Sequence, residues 1–254
     1  MYNSYLNIVI TILQPYKRKL LYIEDIKRLF AVPLGTSYND KKCYKLIYHL
    51  KNKGYLISLK KDIFYVTTPQ ETITEQQILE RYYWSILHAH CNRVFGKWYI
   101  WGIKALELYY KNIDMPDQIL VVNGTKQAID TVVTGKIVHA KMYTHKKNNL
   151  FAEFNKFTQK VRIGKHSFSI AQKELAILEC LFSYDEIADR YAYEYIKKLL
   201  KKYELDLQVM EKILMLGKHH TSVNRLLDIL KPIKPKLAEH ITKLIKKYSF
   251  ILSL

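Results

Sequence analysis

The stretch LKNKGYLISLKKDIFYV, residues 50–66, decides how the first part of the chain folds. The lysine-rich end of a helical pattern meets Gly54, and after this glycine the apolar period changes from 3.6 residues to two. Two alternating arms flank Lys60-Lys61-Asp62, and Asp is tolerated where a turn needs a positive φ. The pattern predicts a helix that stops at a left-handed glycine, followed by a β-hairpin with a basic tip. The residues expected in its core are Leu50, Leu56, Phe64 and Val66.

Two amphipathic helical patterns precede this stretch. Apolar residues recur at helical spacing over residues 5–13, and Pro15 ends the pattern. A second apolar face runs through residues 22–32 and is expected to end at Pro33 and Gly35. The region upstream of the quoted stretch is therefore predicted to contain two helices.

A third helix is expected to start near Ser37, a suitable cap, with Asp40 in the first turn, where the helix dipole favours negative charge. Its apolar stripe consists of Cys43, Leu46, Ile47 and Leu50. Its outward face consists of Tyr38, Lys41, Lys45, Tyr48 and Asn52, with Tyr44 and His49 on the flanks. Three helices followed by a hairpin are typical of a winged helix-turn-helix, in which the third helix enters the DNA major groove.

Positive charge is most concentrated in this region. Residues 1–70 contain 12 Lys or Arg and 4 Asp or Glu, a net charge of +8, whereas residues 71–182 and 183–254 carry +5 each. A lysine-rich helix face is often simply solvated, and AT-rich genomes also favour lysine. The coincidence of a basic third helix, a basic hairpin tip and a basic first loop, residues 17–19, instead favours double-stranded DNA. The candidate DNA-binding residues are Lys17, Arg18, Lys19, Tyr38, Lys41, Lys42, Tyr44, Lys45, Tyr48, His49, Asn52, Lys60 and Lys61.

Several other classes of protein do not fit the sequence. No apolar run is long enough for a transmembrane helix, and the basic residues 17–19 follow the first apolar stretch, which is the wrong order for a signal peptide. Cys43, Cys91 and Cys180 lie far apart with no CxxC, which fits buried thiols in a reducing compartment. We therefore expect a cytoplasmic protein without a membrane partner, a metal or a cofactor.

The remaining chain predicts a second domain of the α+β class. Thr68-Pro69 and the polar residues 70–77 indicate a boundary, so we assign residues 1–69 to a winged helix-turn-helix DNA-binding domain and residues 70–254 to an α+β domain with a helical tail. A helix is expected over residues 78–91 and helical periodicity near Ala105, strands over 117–124 and 136–143, a hairpin over 156–171, and helices from Gln172 onward.

Four motifs occur in a characteristic order. The first runs from Leu50 through Gly54 to Tyr65, with a basic turn between them. The others are Lys104-Ala105-Leu106-Glu107-Leu108 before a strand at 115–122, a strand-to-helix junction at 168–181, and Asn224-Arg225-Leu226-Leu227. Over residues 20–230 this layout resembles the AbiEi-type antitoxin family, the transcriptional regulators of type IV toxin–antitoxin pairs in abortive infection. The chain departs from the family pattern in lacking a tip glycine and in its aromatic Trp98, Tyr99 and Trp101.

The resemblance implies a DNA-binding repressor of its own operon that counteracts a nucleotidyltransferase-like toxin. Its partners would be operator DNA and the cognate toxin, with a second copy of the chain as a further candidate. The helical tail is the expected site of protein contacts.

Two alternatives use other residues. In the first, the chain binds nucleic acid through a middle region whose aromatic rings stack bases, although such rings more often fill a core. These rings belong to Tyr82, Tyr83, Trp84, Trp98 and Trp101. In the second, the chain is an unrecognised nuclease or transferase.

The sequence gives little support for catalysis. Glu174 and Glu179 lie five residues apart on a predicted helix, and Asp185-Glu186 is a predicted loop pair. Neither pair forms a catalytic constellation. His88 and His90 face different ways on a helix, so they are not expected to share a metal. We therefore expect no enzymatic activity.

Overall fold

The computed structural model describes residues 2–35, 39–60, 62–125, 130–133, 135–142, 144–145, 148–182 and 190–247. The chain forms two compact units, residues 1–87 and 88–254. Both contain helices and a β-sheet, so the chain has the predicted α+β class. The boundary predicted after residue 69 lies before helix α4 (Glu75–Phe95), whereas the division between the compact units falls inside this helix.

The first unit contains the three predicted helices and the predicted hairpin. Its elements are α1 (Tyr2–Leu13), a 3-10 turn (Gln14–Tyr16), β1 (Leu20–Tyr22), α2 (Ile23–Leu34), α3 (Asp40–Asn52), β2 (Leu56–Lys60) and β3 (Ile63–Val66). Strand β1 was not predicted, because three residues are too few to show an alternating pattern. It pairs antiparallel with β3, with Leu20 opposite Tyr65, and the sheet order is β1-β3-β2.

The helix ends follow local chemistry. Helix α2 includes Pro33 and ends one residue later, before Gly35, so the prediction that Pro33 breaks it was slightly early. The cap expected at Ser37 was wrong: Asn39 caps α3, and its Oδ1 accepts a hydrogen bond of 2.9 Å from the backbone N–H of Lys42. Ser37 itself lies outside the described residues. At the other end of α3, Gly54 has the predicted positive φ of 72°.

The core of the first unit lies between the three helices and the inner face of the sheet. The four residues predicted to be buried in the hairpin region are all buried. Apolar side chains from every element join them, including Val9, Leu13, Ile26, Phe30, Leu46 and Ile47. Because α3 contributes only one stripe to this core, its opposite side is free to meet solvent.

The second unit is built on a mixed six-stranded sheet. Its strands are β4 (Trp98–Ile100), β5 (Gln118–Asn123), β6 (Asp130–Val133), β7 (Lys136–Lys141), β10 (Thr158–Ile163) and β11 (His166–Ala171), in the order β10-β11-β4-β5-β7-β6. The pairs β11–β4 and β5–β7 are parallel and the others antiparallel. A separate short pair joins β8 (Thr144–His145) to β9 (Asn148–Asn149). The strands predicted over 117–124 and 136–143 and the hairpin predicted over 156–171 are present, whereas β6, β8 and β9 were not predicted.

The second unit also contains the helix predicted near Ala105 and the helices predicted after Gln172, together with a short helix at Phe151–Phe154 that was not predicted. They are α5 (Gly102–Tyr109), α6 (Phe151–Phe154), α7 (Lys173–Phe182), α8 (Arg190–Lys202), α9 (Leu207–Leu214), α10 (His220–Ile233) and α11 (Pro235–Lys247), with a 3-10 turn at Asn155–Phe157. Helix α7 packs against α5 and α10, and α11 packs against α10. Within the described ranges, no helix is long and apolar enough to cross a membrane. All three cysteines are buried, as predicted.

Candidate nucleic-acid interface

Helix α3 has two sharply different faces. Cys43, Leu46, Ile47 and Leu50 are at most 4% exposed and hold the helix against the core. On the other side Lys41, Lys42, Lys45 and Asn52 are exposed. Tyr44 and Tyr48 are 50% and 60% exposed, although large aromatic rings are usually better covered. We call this exposed side, with the half-buried His49 at its edge, the outward face of α3.

A residue that the sequence did not single out fixes the start of the outward face. Lys27 of α2 forms an ion pair of 2.9 Å with Asp40, and its Nζ lies 5.4 Å from the centre of the Tyr44 ring. The hydrogen bond with Asp40 raises the pKa of Lys27, so this lysine carries its charge. No sequence pattern marks Lys27, because the contact depends on how α2 and α3 cross.

The hairpin tip is held by backbone geometry. Asp62 has a φ of 66°, which gives the turn the positive φ that a glycine usually supplies. Its carbonyl oxygen accepts a hydrogen bond of 3.0 Å from the N–H of Ile23, at the start of α2. Lys60 ends β2 opposite Ile63, and Lys61 lies outside the described residues. The absence of a tip glycine is therefore compensated by Asp62.

The first loop, residues 17–19, is hydrogen-bonded to the end of the sheet at which β3 reaches Val66. Arg18 forms an ion pair of 2.8 Å with Glu71, and the hydrogen bond between them raises the pKa of Arg18. Its backbone N–H donates to the carbonyl of Val66 over 2.8 Å. Lys17 and Lys19 on either side are exposed. Arg18 already has a carboxylate partner, so the two lysines are better placed to contact a phosphate.

The predicted DNA-binding residues thus fall into three places. Helix α3 gathers Lys41, Lys42, Tyr44, Lys45, Tyr48, His49 and Asn52 on and beside one exposed face. Strand pairing puts the first loop at the Val66 end of β3 and Lys60 at the opposite, Ile63 end. Tyr38 lies outside the described residues. The described candidates therefore lie on one face of α3 and at the two opposite ends of the sheet.

The aromatic rings of the alternative nucleic-acid hypothesis are mostly enclosed. Tyr83 is 1% exposed, Trp98 7% and Trp101 4%, while Tyr82 and Trp84 are half-buried. Trp98 packs edge-on against Phe168, and the Nζ of Lys141 lies 4.7 Å from the centre of the Trp101 ring. Rings covered in this way offer little free face for a stacked base.

The carboxylates considered for catalysis serve as buried hydrogen-bond acceptors. Glu179 is fully buried and accepts hydrogen bonds from the Tyr99 hydroxyl, at 2.9 Å, and from the backbone N–H of Gly102, at 3.0 Å. Glu174 accepts one of 2.9 Å from the backbone N–H of Asp206. Asp185-Glu186 lies outside the described residues. Among the residues that the structure describes, no three His, Cys, Asp or Glu side chains are grouped to hold a metal ion.

The fold and the exposed helix face define an α+β protein with a candidate nucleic-acid surface on α3. A comparison with solved structures finds a similar fold in the crystal structure of the RV2827C protein from Mycobacterium tuberculosis, with a TM-score of 0.63 and 13% identity. The match covers 95% of this chain and 81% of that one. No protein-family model and no curated protein matches the chain.

Proposed function

We propose that the first unit is a winged helix-turn-helix that binds double-stranded DNA, with α3 as the recognition helix. The observation that carries this proposal is the outward face of α3, where Lys41, Lys45 and the exposed Tyr48 stand opposite a fully buried stripe. The element order α1-β1-α2-α3-β2-β3 and the sheet order β1-β3-β2 support it, since a recognition helix followed by a hairpin is the arrangement of this motif.

The dimensions support groove binding. Helix α3 has 13 residues, which makes it about 20 Å long, and a DNA major groove about 12 Å wide admits one α-helix. Lys41 and Lys45 are one turn apart and can neutralise neighbouring phosphates, while Asn52 has the amide group that can read a base edge. Lys17 and Lys19 at one end of the sheet, and Lys60 at the other, are candidates for flanking backbone contacts.

We further propose that the chain is a transcriptional regulator of its own operon and the antitoxin to a nucleotidyltransferase-like toxin. The support is the set of motifs that resemble the AbiEi-type antitoxins. The first of them has a physical explanation, because Leu50 and Leu56 fill the core while Gly54 ends α3 at a φ of 72°. The proposal includes no catalytic step, and Glu174 and Glu179, the pair weighed for catalysis, both accept hydrogen bonds within the fold.

The DNA-binding proposal is tested by gel shift of the full-length protein on the DNA upstream of its own gene. Changing Lys41→Glu together with Lys45→Glu should weaken binding by roughly a hundredfold, because two attractive phosphate interactions become repulsions. The matched control is Lys198→Glu with Lys202→Glu on α8, two exposed lysines at the same spacing in the second unit. This control changes the net charge equally and should retain most of the affinity.

Two outcomes would contradict the assignment. Undiminished operator binding by the α3 variant would mean that DNA is held elsewhere. An equal loss in both double variants would mean that only the overall charge matters. The antitoxin proposal is tested separately, by co-expressing the chain with a nucleotidyltransferase-like protein encoded beside it. Growth inhibition that the chain does not relieve would exclude an antitoxin role for that pair.

A further inference from the structure

The second unit contains an open polar cavity at its surface that the proposed DNA-binding function does not use, and the two lysines that line it, Lys97 and Lys160, are exposed. It has a volume of about 270 Å³ and lies where the end of α4, the start of β4 and the hairpin β10–β11 meet. The residues that supply its polar groups are His88, Asn92, Lys97, Asn155, Lys160 and Ser167, together with Ser169. Its apolar wall is Trp98, which is only 7% exposed.

The charged side chains that line this cavity are all positive. It is lined by two lysines, Lys97 and Lys160, and among the described residues that line it none is an aspartate or a glutamate. The Nζ of Lys160 donates a hydrogen bond of 2.8 Å to the hydroxyl of Ser169, its cross-strand partner. No carboxylate in the described ranges forms an ion pair with either lysine. Such a set of donors favours an anion.

Hydrogen bonds hold the cavity wall in a fixed arrangement. The indole N–H of Trp98 donates to Oδ1 of Asn92 over 2.8 Å, which turns the amide Nδ2 of Asn92 toward the His88 ring, 3.2 Å from its Nδ1. The His88 ring in turn lies 4.6 Å from the His166 ring and 5.2 Å from that of Phe168, measured between centres. These contacts hold Trp98, Asn92 and His88 in place, so this part of the wall need not reorganise when a ligand binds.

The two histidines sit in a cationic environment. Burial lowers the pKa of His88, and Lys160 lowers it further. Burial, His88 and Lys165 likewise lower the pKa of His166. Both rings are therefore neutral near pH 7. A bound anion would favour their protonated forms, so the rings report on what occupies the cavity.

We propose that this cavity binds a small phosphorylated molecule through its phosphate group. Lysine ammonium groups, serine hydroxyls and an asparagine amide are the donors that commonly surround phosphate oxygens. The volume is slightly below the roughly 300 Å³ at which drug-sized ligand sites begin, so a phosphate ester with a sugar-sized substituent fits better than a larger ligand. The site lies in the second unit and does not depend on the DNA-binding proposal.

The test is an NMR titration of the full-length protein at pH 7, which follows the ring resonances of His88 and His166. The probes are inorganic phosphate, ribose 5-phosphate, and sodium chloride at matched ionic strength. Both phosphate compounds should give saturable shifts in both histidines, with ribose 5-phosphate bound at least as tightly as inorganic phosphate. Chloride should give none.

Paired variants check the position of the site. Lys160→Gln should weaken phosphate binding by roughly tenfold, since it removes one charge-assisted hydrogen bond. Lys97→Gln provides a second measurement if Lys160→Gln disturbs the hairpin, which circular dichroism would reveal. The control is Lys165→Gln at the exposed turn of the same hairpin, which does not line the cavity and should change the affinity by less than about twofold.

Three results would overturn the proposal. One is the absence of a saturable shift with either phosphate compound up to about 20 mM. At that concentration even a site with a Kd of about 1 mM would be nearly saturated. Another is an identical response to chloride, which would mean non-specific ionic strength. The third is binding of inorganic phosphate with exclusion of ribose 5-phosphate, which would rule out an ester as the ligand. Loss of operator binding in the α3 variant has no bearing on any of these readouts.

Discussion

Helices α3 and α7 both carry charged residues, but their surroundings give these charges opposite roles. Helix α3 buries one stripe of four residues and leaves its lysines in water. Helix α7 buries eight consecutive residues, from Glu174 to Leu181, and both of its glutamates are enclosed. A charge in water remains available to an external partner, whereas a charge inside the fold must be satisfied by the fold itself.

This difference separates a candidate binding surface from a structural network. From the sequence, Glu174 and Glu179 are not expected to form a catalytic pair, and the structure gives each of them backbone or hydroxyl donors. Lys41, Lys42 and Lys45 of α3 are exposed instead, and this exposure marks the outward face as the candidate interface.

The largest expected effect concerns the interior of α7. Replacing Glu179→Ala leaves the Tyr99 hydroxyl and the Gly102 N–H without this acceptor and opens a cavity, so the free energy of unfolding should fall by about 3 kcal/mol. Urea denaturation of the full-length protein measures this loss. Glu239→Ala on the exposed face of α11 is the control and should stay within about 0.5 kcal/mol. Equal losses in both variants would remove the distinction between enclosed and exposed carboxylates.

The second effect concerns the outward face of α3. The variant Lys41→Gln with Lys45→Gln should lower operator affinity and reduce the slope of log K against log salt concentration by about two, because neither position would then neutralise a phosphate. Its stability should be nearly unchanged, because both side chains are exposed. Binding measured at several salt concentrations tests this. An unchanged slope with weaker binding would show that these lysines do not contact phosphates.

The third effect is a pH dependence of the free energy of unfolding, caused by His219 beside the end of α7. His219 is fully buried, between the rings of Phe154 and Phe182, and burial lowers its pKa to about 3 from the ordinary 6.5. Between these pH values the unfolded chain binds a proton that the folded chain does not, so stability is lost as the pH falls below 6.5. The slope from this residue should reach about 1.4 kcal/mol for each pH unit.

His219→Gln should remove that part of the slope, while His240→Gln on the exposed face of α11 should leave it in place. Urea denaturation at pH 7, 6 and 5 compares the three proteins, with the pH values chosen within the window set by the lowered pKa. His88 and His166 contribute in the same direction, because their pKa values are lowered too. Parallel stability curves for all three proteins would refute the role given to His219.

The smallest effect concerns the hairpin tip. Asp62→Gly should keep or slightly raise the free energy of unfolding, by a few tenths of a kcal/mol, because glycine adopts the φ of 66° without strain. Asp62→Ala should lower it by about 1 kcal/mol, since alanine lacks the local hydrogen bonds that help aspartate in this conformation. Thermal denaturation ranks the three proteins. An alanine variant as stable as the glycine variant would mean that the tip relaxes to another turn.

Elements long enough to repeat their apolar pattern were predictable from the sequence. Such repeats identify the buried face of α3, the two arms of the hairpin around residues 60–62, and the helices after Gln172. Short elements such as β1 and β6 carry too few residues for a pattern. The contact of Lys27 with Asp40 and Tyr44 has no sequence signal either, because it depends on the crossing of two helices.

The sequence alone determined which side of α3 faces the core and that Gly54 ends the helix, because periodicity and backbone freedom are local properties. Only the tertiary structure decided that Arg18 is paired with Glu71, that Glu179 is an enclosed acceptor, and that Lys97 and Lys160 line one cavity. These outcomes join residues far apart in the chain, and strand order and helix packing bring such residues together. An exposed charge can be inferred from its own helix, whereas the partner of a buried charge depends on the whole fold.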